Sequence, residues 1–267
     1  MKNFRPIKRL GQHFLKDNRI ASDIINIAQV EKNDTVLEIG PGQGVLTSLI
    51  AKRARSLIAV EIDKKLCDVL EEKLRPFNNI RLIQADFLKV DLSTLHLAHG
   101  SKVIGNLPYY ITTPIIMKLL EARQYISSIT VMVQKEVAER IVARAGDSAY
   151  GVLSIAVSYS ADARIEMPVP AEVFSPRPKV ASSVLKLEVL KEPRVKIDDE
   201  KMFFRAVKGA FTQRRKMLGN SLAHSLHVKK ELIREVLEEL GIDATRRPQT
   251  LTIGEFAGIS NSIFRLK

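Results

Sequence analysis

The sequence predicts a doubly wound α/β domain with a mostly parallel sheet, followed by a small helical domain. Three observations carry this reading. β-Branched apolar runs alternate with amphipathic segments from about residue 31 to 140, a glycine-rich turn closes the first of those runs, and no strand pattern remains after about residue 198. Strand–helix alternation of this kind implies parallel strands covered on both faces.

The buried strands are expected at TVLEIG (35–40), SLIAVEID (56–63), IRLIQAD (80–86), KVIGNLP (102–108) and ITVMVQ (129–134), each bounded by Gly, Pro, Asn or Asp. Apolar residues at helical spacing place helices around 45–54, 64–74, 112–122 and 135–144. Further on, YGVLSIAVSYSA reads as a helix, and ARIEMPV and SSVLKLEVL as late strands around the Pro-rich PVPAEVFSPRPKV. The boundary is expected between a first domain of residues 1–195 and a helical domain of residues 196–267, in which LIREVLEELG is amphipathic. No internal repeat or low-complexity segment interrupts this plan.

The 267 residues carry 42 Lys and Arg against 30 Asp and Glu, a net charge of +12 and a pI near 9.8. An excess of this size points to a polyanionic partner, because Lys and Arg set against phosphates release condensed counterions. Its distribution supports that. Residues 1–20 form a basic arm with Asp17 as the single acid, and residues 201–230 hold eight Lys and Arg without any acid. No apolar run reaches the roughly 18–20 residues of a membrane span, and the first fifteen residues show no secretory h-region. A cytoplasmic protein that contacts no membrane is therefore expected. Cys67 is the single cysteine, which excludes an intramolecular disulfide and a Cys-rich zinc site; no metal site is expected.

Candidate ligand-binding residues close the strands, where open α/β sheets bind ligands. The first strand runs into Gly40-Pro41-Gly42-Gln43-Gly44, and a helix follows at once. Glycines here let the backbone approach a nucleotide, with the free N–H groups of the helix start behind them. No Gly-Lys-Ser/Thr follows, which argues against a P-loop. Both a nicotinamide dinucleotide and S-adenosylmethionine would put an adenosine here, but Val45 stands where a dinucleotide fold wants a third small residue. Glu61 ends the second strand and can accept from a ribose diol, while Asp63 caps the next helix. Asp86 ends the third and can accept from an adenine amine that Phe87 covers. The fourth ends in Asn106-Leu107-Pro108-Tyr109-Tyr110: an amide acceptor, a ladder-breaking proline and a flat aromatic surface, suited to a planar base with an exocyclic amine.

Taken with Gly11-Gln12-His13-Phe14-Leu15, Phe174-Ser-Pro-Arg-Pro-Lys-Val180 and Phe211-Thr-Gln-Arg-Arg-Lys216, these motifs resemble the adenine-N6 RNA dimethyltransferases over nearly the whole chain. GQHFL with FSPRPKV resembles the branch acting on small-subunit ribosomal RNA. The resemblance implies a Rossmann-like methyltransferase sheet with a small C-terminal all-helical domain, S-adenosylmethionine as methyl donor, and dimethylation of two adjacent adenosines in the 3′-terminal hairpin of 16S RNA. The substrate it implies is the 30S subunit or its precursor, with a role in subunit biogenesis, and a monomeric enzyme is expected. It assigns His13 and Leu15 to the methionine end of the cofactor with Gly40 against it, Gly42 to the cofactor turn, Glu61 to its ribose and Asp86 to its adenine. Asn106 would reach both cofactor and target, Tyr109 would stack on the target base, Phe174 would sandwich that base or pack beside it, and Arg214, Arg215 and Lys216 would meet RNA phosphates. Many relatives carry Asn where this chain has His13. The alternatives are a 23S RNA dimethyltransferase conferring antibiotic resistance and a nucleic-acid-binding assembly factor without catalysis. A nicotinamide-dependent oxidoreductase would need a hydride-transfer site that the sequence does not offer.

Overall fold

The computed structural model describes residues 10–212 and 217–266. Its first elements are a two-residue strand β1 (Phe14–Leu15), helix α1 (Asn18–Ile27), β2 (Thr35–Ile39), α2 (Val45–Ala51), β3 (Ser56–Glu61), α3 (Lys64–Leu74) and β4 (Ile80–Gln84). After them come β5 (Ser101–Asn106), α4 (Thr112–Glu121), β6 (Ile126–Gln134), α5 (Lys135–Val142), α6 (Val152–Ser160), β7 (Ala161–Val169), β8 (Phe174–Ser175) and β9 (Ser182–Val189). The chain ends in α7 (Glu200–Thr212), α8 (Leu218–Leu226), α9 (Lys230–Glu239) and α10 (Ile253–Arg265).

Seven strands form one sheet in the order β4-β3-β2-β5-β6-β9-β7, and β1 pairs separately with β8. The five strands from β4 to β6 are parallel, and β9 runs antiparallel to β6. Val36, Leu37, Leu57, Ala59, Val103, Ile104, Ile129 and Val131 are fully buried, which is why these strands read as continuous apolar runs rather than alternating ones. Local chemistry sets the helix starts. The Asp17 carboxylate accepts from the Arg19 and Ile20 amides ahead of α1, and the Asp63 carboxylate accepts from the Lys65 amide ahead of α3.

The strand order places the ligand cleft. From β2 the chain winds outward through β3 to β4, then returns to β5 on the other side of β2, so the order reverses between β2 and β5. The two strands stay paired to their carboxyl ends, and the crevice lies just outside those ends.

The chain divides into two compact units, one running to Ala138 with Asp162–Val189 added, the other made of Glu139–Ala161 and the chain from Leu190 onward. The expected boundary at residue 195/196 thus differs from the observed division: residues 139–161 and 190–195 go with the helical unit. The reason is packing. Tyr150, Ile155 and Tyr159 join Phe203, Val207, Leu222 and Phe256 in one core, with the Tyr159 and Phe203 rings 5.4 Å apart. The first unit has its own core, in which Ile24, Ile25, Ile50, Leu57, Ile104 and Phe174 meet.

Candidate active site

Four strand ends, those of β4, β3, β2 and β5, lie side by side, because Ile39 pairs with both Val60 and Gly105, and Glu61 with Gln84. This register gathers residues far apart in sequence around a cleft of about 200 Å³, whose walls include Leu15, Gly40, Glu61, Asp86, Asn106 and Tyr109.

One half of the cleft is held by short-range hydrogen bonds. Gly40 and Gly42 take φ of 67° and 57°, and a Cβ on Gly42 would come within 3.1 Å of the Phe14 ring, so the turn needs glycine both for its backbone and for the aromatic packed on it. The Glu61 carboxylate accepts from the Asp63 amide (2.9 Å) and from the Gly42 amide (3.1 Å), which fixes its plane and leaves lone pairs for a diol. Burial raises the pKa of Glu61, and those backbone donors pull it back. Asp86 accepts from the Leu88 amide at 3.0 Å through one oxygen, and the Phe87 ring beside it is buried.

Two lysines brace these turns, and neither was visible as a site residue in the sequence. The Lys73 ammonium donates to the Gln43 carbonyl (2.7 Å) and the Gly44 carbonyl (3.3 Å). Lys118 of α4 donates to the Leu88 carbonyl at 2.8 Å and to that of Val90, and lies 5.6 Å from the centre of the Phe87 ring. Neither lysine follows from strand-end logic, since each acts from a helix on a loop about 30 residues away. Beneath the glycine turn, Glu38 is fully enclosed. Burial pushes its carboxyl up to about 8, with Thr47 and Lys73 opposing the rise and Glu61 adding to it.

The other half is tied by contacts across the chain. The Asn106 amide nitrogen donates to the His13 carbonyl at 2.9 Å, which leaves the amide oxygen as its open acceptor. The Tyr109 hydroxyl shares a 2.7 Å hydrogen bond with Ser182, and its ring stacks on His13 with centroids 5.4 Å apart. Burial raises the Tyr109 pKa, so the phenol stays protonated. His13 Nδ1 lies 2.7 Å from the Pro176 carbonyl, an acceptor only, so Nδ1 carries a proton. Gln12 donates to Asp63 at 3.1 Å, and the pairing of β1 with β8 puts Leu15 opposite Phe174. Residues 10–15 thereby cross the cleft as a fastened strap.

Of the residues expected from sequence, His13, Leu15, Gly40, Gly42, Glu61, Asp86, Asn106 and Tyr109 all line this cleft. Phe174 does not. It is 3% exposed, packed with Leu15 in the core, and the expectation that it sandwiches the target base or packs beside it is corrected accordingly: its ring is spent on seating β1. Arg214, Arg215 and Lys216, and the part of the basic arm before Leu10, lie outside the described residues. Gln12 and Ser182 were missed as positioning groups; a polar residue inside GQHFL was the available signal for the first, and nothing marked the second.

Comparison with known proteins decides the family. The model for ribosomal RNA adenine dimethylase matches residues 2–263. The chain belongs to that family. It is an S-adenosylmethionine-dependent ribosomal RNA adenine dimethyltransferase. Similar curated proteins include the ribosomal RNA small subunit methyltransferase A of Alkaliphilus oremlandii, 47% identical over 97% of this chain and 92% of the relative. That of Shouchella clausii is 47% identical over 96% of this chain and 89% of the relative. Among solved structures, a dimethyladenosine transferase from Plasmodium falciparum superposes with a TM-score of 0.80 at 26% identity, covering 92% of this chain and 96% of the other. The 23S rRNA methyltransferase ErmE gives 0.72 at 26% identity, covering 94% and 99%.

The cleft of the dimethylase fits its methyl donor. A glycine turn exposes backbone, Glu61 at the carboxyl end of β3 offers acceptor lone pairs, Asp86 keeps one carboxylate oxygen for an amine, and Ile62 lines the gap as an exposed apolar side chain. Ribosomal RNA is its substrate. Among the described residues no helix is long and apolar enough to cross a membrane.

Proposed function

We propose that the enzyme dimethylates N6 of two adjacent adenosines in the 3′-terminal hairpin of 16S RNA, acting as a cytoplasmic monomer on the 30S subunit or its precursor. The observation that carries the choice of subunit is identity of 42–47% over nearly the full chain to proteins named for the small subunit. A role in subunit biogenesis accompanies that substrate. The first unit, with the sheet and the cleft, does the chemistry, and the helical unit with Arg214, Arg215 and Lys216 grips phosphates; an acid-free basic stretch from 201 to 230 supports that assignment.

In this reading His13, Leu15, Gly40 and Gly42 enclose the methionine end of the cofactor, Glu61 takes the ribose and Asp86 the adenine amine. When bound, the cofactor supplies an electrophilic methyl group on a sulfonium. The target amine is a poor nucleophile, since its lone pair is delocalised into the ring. The open oxygen of Asn106 and the Leu107 carbonyl accept its two hydrogens, which aims the lone pair toward the cofactor; Tyr109 stacks on the flipped base, and His13 backs the tyrosine. Catalysis is then positioning at about 3–3.5 Å with little acid–base work.

The test is methyl transfer from radiolabelled S-adenosylmethionine to 30S and 50S particles lacking their dimethyladenosines, with the product nucleoside identified by mass. Dimethyladenosine confined to 16S RNA is expected. Label in 23S RNA would move the enzyme to the large subunit, and cofactor binding without transfer would favour a non-catalytic assembly role.

A further inference from the structure

Among the described aromatics that line the cleft, Phe14 and Phe87 are buried, and Tyr110 is the exposed one for which the reaction scheme has no use. The residue is 56% exposed at the mouth, whereas Tyr109 turns inward to Ser182. The two occupy a short helical turn, Tyr109–Ile111, entered through Pro108 at φ −60°, so consecutive side chains leave in different directions. The outer ring is seated rather than loose. Gly11 of the strap lies beneath it at φ +57°, and a Cβ there would stand 3.3 Å from Tyr110 Cδ1. A side chain at Gly11 would strain the backbone and push the ring away. No described residue hydrogen-bonds the Tyr110 hydroxyl. The ring therefore presents open apolar surface, beside a reaction centre, that a flat partner would cover.

We propose that Tyr110 is a stacking platform for the nucleobase next to the adenine being methylated. Extracting one base from an RNA stack strips its neighbour of a stacking face. A ring one residue beyond Tyr109 can replace that lost face, so the dinucleotide step is held by two consecutive tyrosines, one for the base in the cleft and one for the base outside it. Where the neighbour is itself an adenosine awaiting methylation, the two bases exchange places on the same two rings. This rests on the reading of adjacent adenosines given above.

Steady-state methyl transfer to 30S particles lacking dimethyladenosines tests it, with Tyr110→Ala and Tyr110→Phe compared against the unsubstituted enzyme and cofactor affinity measured by calorimetry. Loss of a stacked base should raise the KM for the particle at least about fivefold in Tyr110→Ala. Tyr110→Phe keeps the ring and should stay close to the unsubstituted enzyme, and cofactor affinity should be unchanged in both. An unshifted particle KM in Tyr110→Ala would overturn the platform while leaving the substrate assignment intact. A parallel loss of cofactor affinity would also overturn it, making the ring a cover for the cofactor. Failure of the unsubstituted enzyme to methylate the particle would overturn the small-subunit reading and the platform with it.

Discussion

Glu61 and Asp86 owe their orientation to amides two residues away, with Gly42 as a third donor 19 residues back, whereas Asn106, Tyr109 and His13 find their partners 93, 73 and 163 residues away. The half of the cleft proposed for the cofactor is thus shaped by the turns at its own strand ends. The half proposed for the target joins the end of β5 to the segment at 174–182 and to the strap at residues 10–15, which in the same scheme also borders the methionine end of the cofactor. The difference assigns different failures to each half: damage on the cofactor side should show in cofactor affinity, and damage on the target side in turnover.

The sharpest break is Asn106→Ala. It deletes the acceptor proposed for the target amine, while Gln12, the His13 ring and the β1–β8 pairing still hold the strap, so kcat should fall by about 10²–10³-fold, the loss typical of a positioned electrostatic group. Cofactor affinity should stay within about tenfold, or 1.4 kcal/mol. Single-turnover rates beside calorimetric binding separate the two; a retained rate would remove Asn106 from the mechanism, and a collapse of binding would show that the halves are not independent.

Glu61→Gln probes the other side. An amide can satisfy only one of the Asp63 and Gly42 N–H groups, so a buried donor meets a donor at about 1–3 kcal/mol. That clash is present with or without cofactor, but the diol also loses a charged acceptor at about 1.5–3 kcal/mol, so cofactor binding should weaken roughly 10- to 150-fold with affinity for the ribosomal particle unchanged. Equal losses in both would contradict the division.

That division also explains what the sequence reveals. Strands from β2 to β6, the glycine turn, Glu61, Asp86 and Asn106 are legible because period, β-branching and strand-end chemistry are local properties. Phe174 was misjudged because an aromatic beside a Pro-rich turn looks alike whether it faces a ligand or, as here, the core behind β1. The assignment of residues 139–161 to the helical unit was equally hidden: α6 runs directly into β7, and only its packing with Phe203 shows where it belongs. Lys73, Lys118 and Ser182 act across tertiary contacts, which no local pattern announces.

A smaller effect should come from Ser182→Ala. It removes the hydroxyl partner of Tyr109 without touching the ring or its stacking on His13. A hydrogen bond of this kind contributes about 1 kcal/mol, so kcat should drop roughly fivefold while cofactor affinity holds. Tyr109→Phe should give a similar drop, and the double variant should cost little more than either alone, because both delete the same bond. Additive losses would mean that the tyrosine hydroxyl has a second duty.

The gentlest test concerns the floor of the cofactor half and is read in stability rather than rate. The Glu38 carboxyl ordinarily titrates at 4.5, and burial in the folded protein raises it to about 8. Between those two values the folded state holds a proton that the unfolded state has released. Folding stability therefore declines as pH rises through that window, by at most about 1.4 kcal/mol per pH unit from this group, and the decline ends once both states are ionised. Below the window both states are protonated and the group contributes no slope. Glu38→Gln keeps the shape and removes the proton, so its denaturation midpoint should lose less between about pH 5 and pH 8.5 than that of the unsubstituted protein. Lys73, whose ammonium is pushed toward neutrality by burial and supported by the Glu38 charge, works against the trend at the upper end, when an ionised Glu38 gains a cation facing it. Identical slopes for the two proteins would show that Glu38 stays ionised in the fold, with Lys73 bearing the balance, and the glycine turn would then rest on an ion pair instead of a neutral acid.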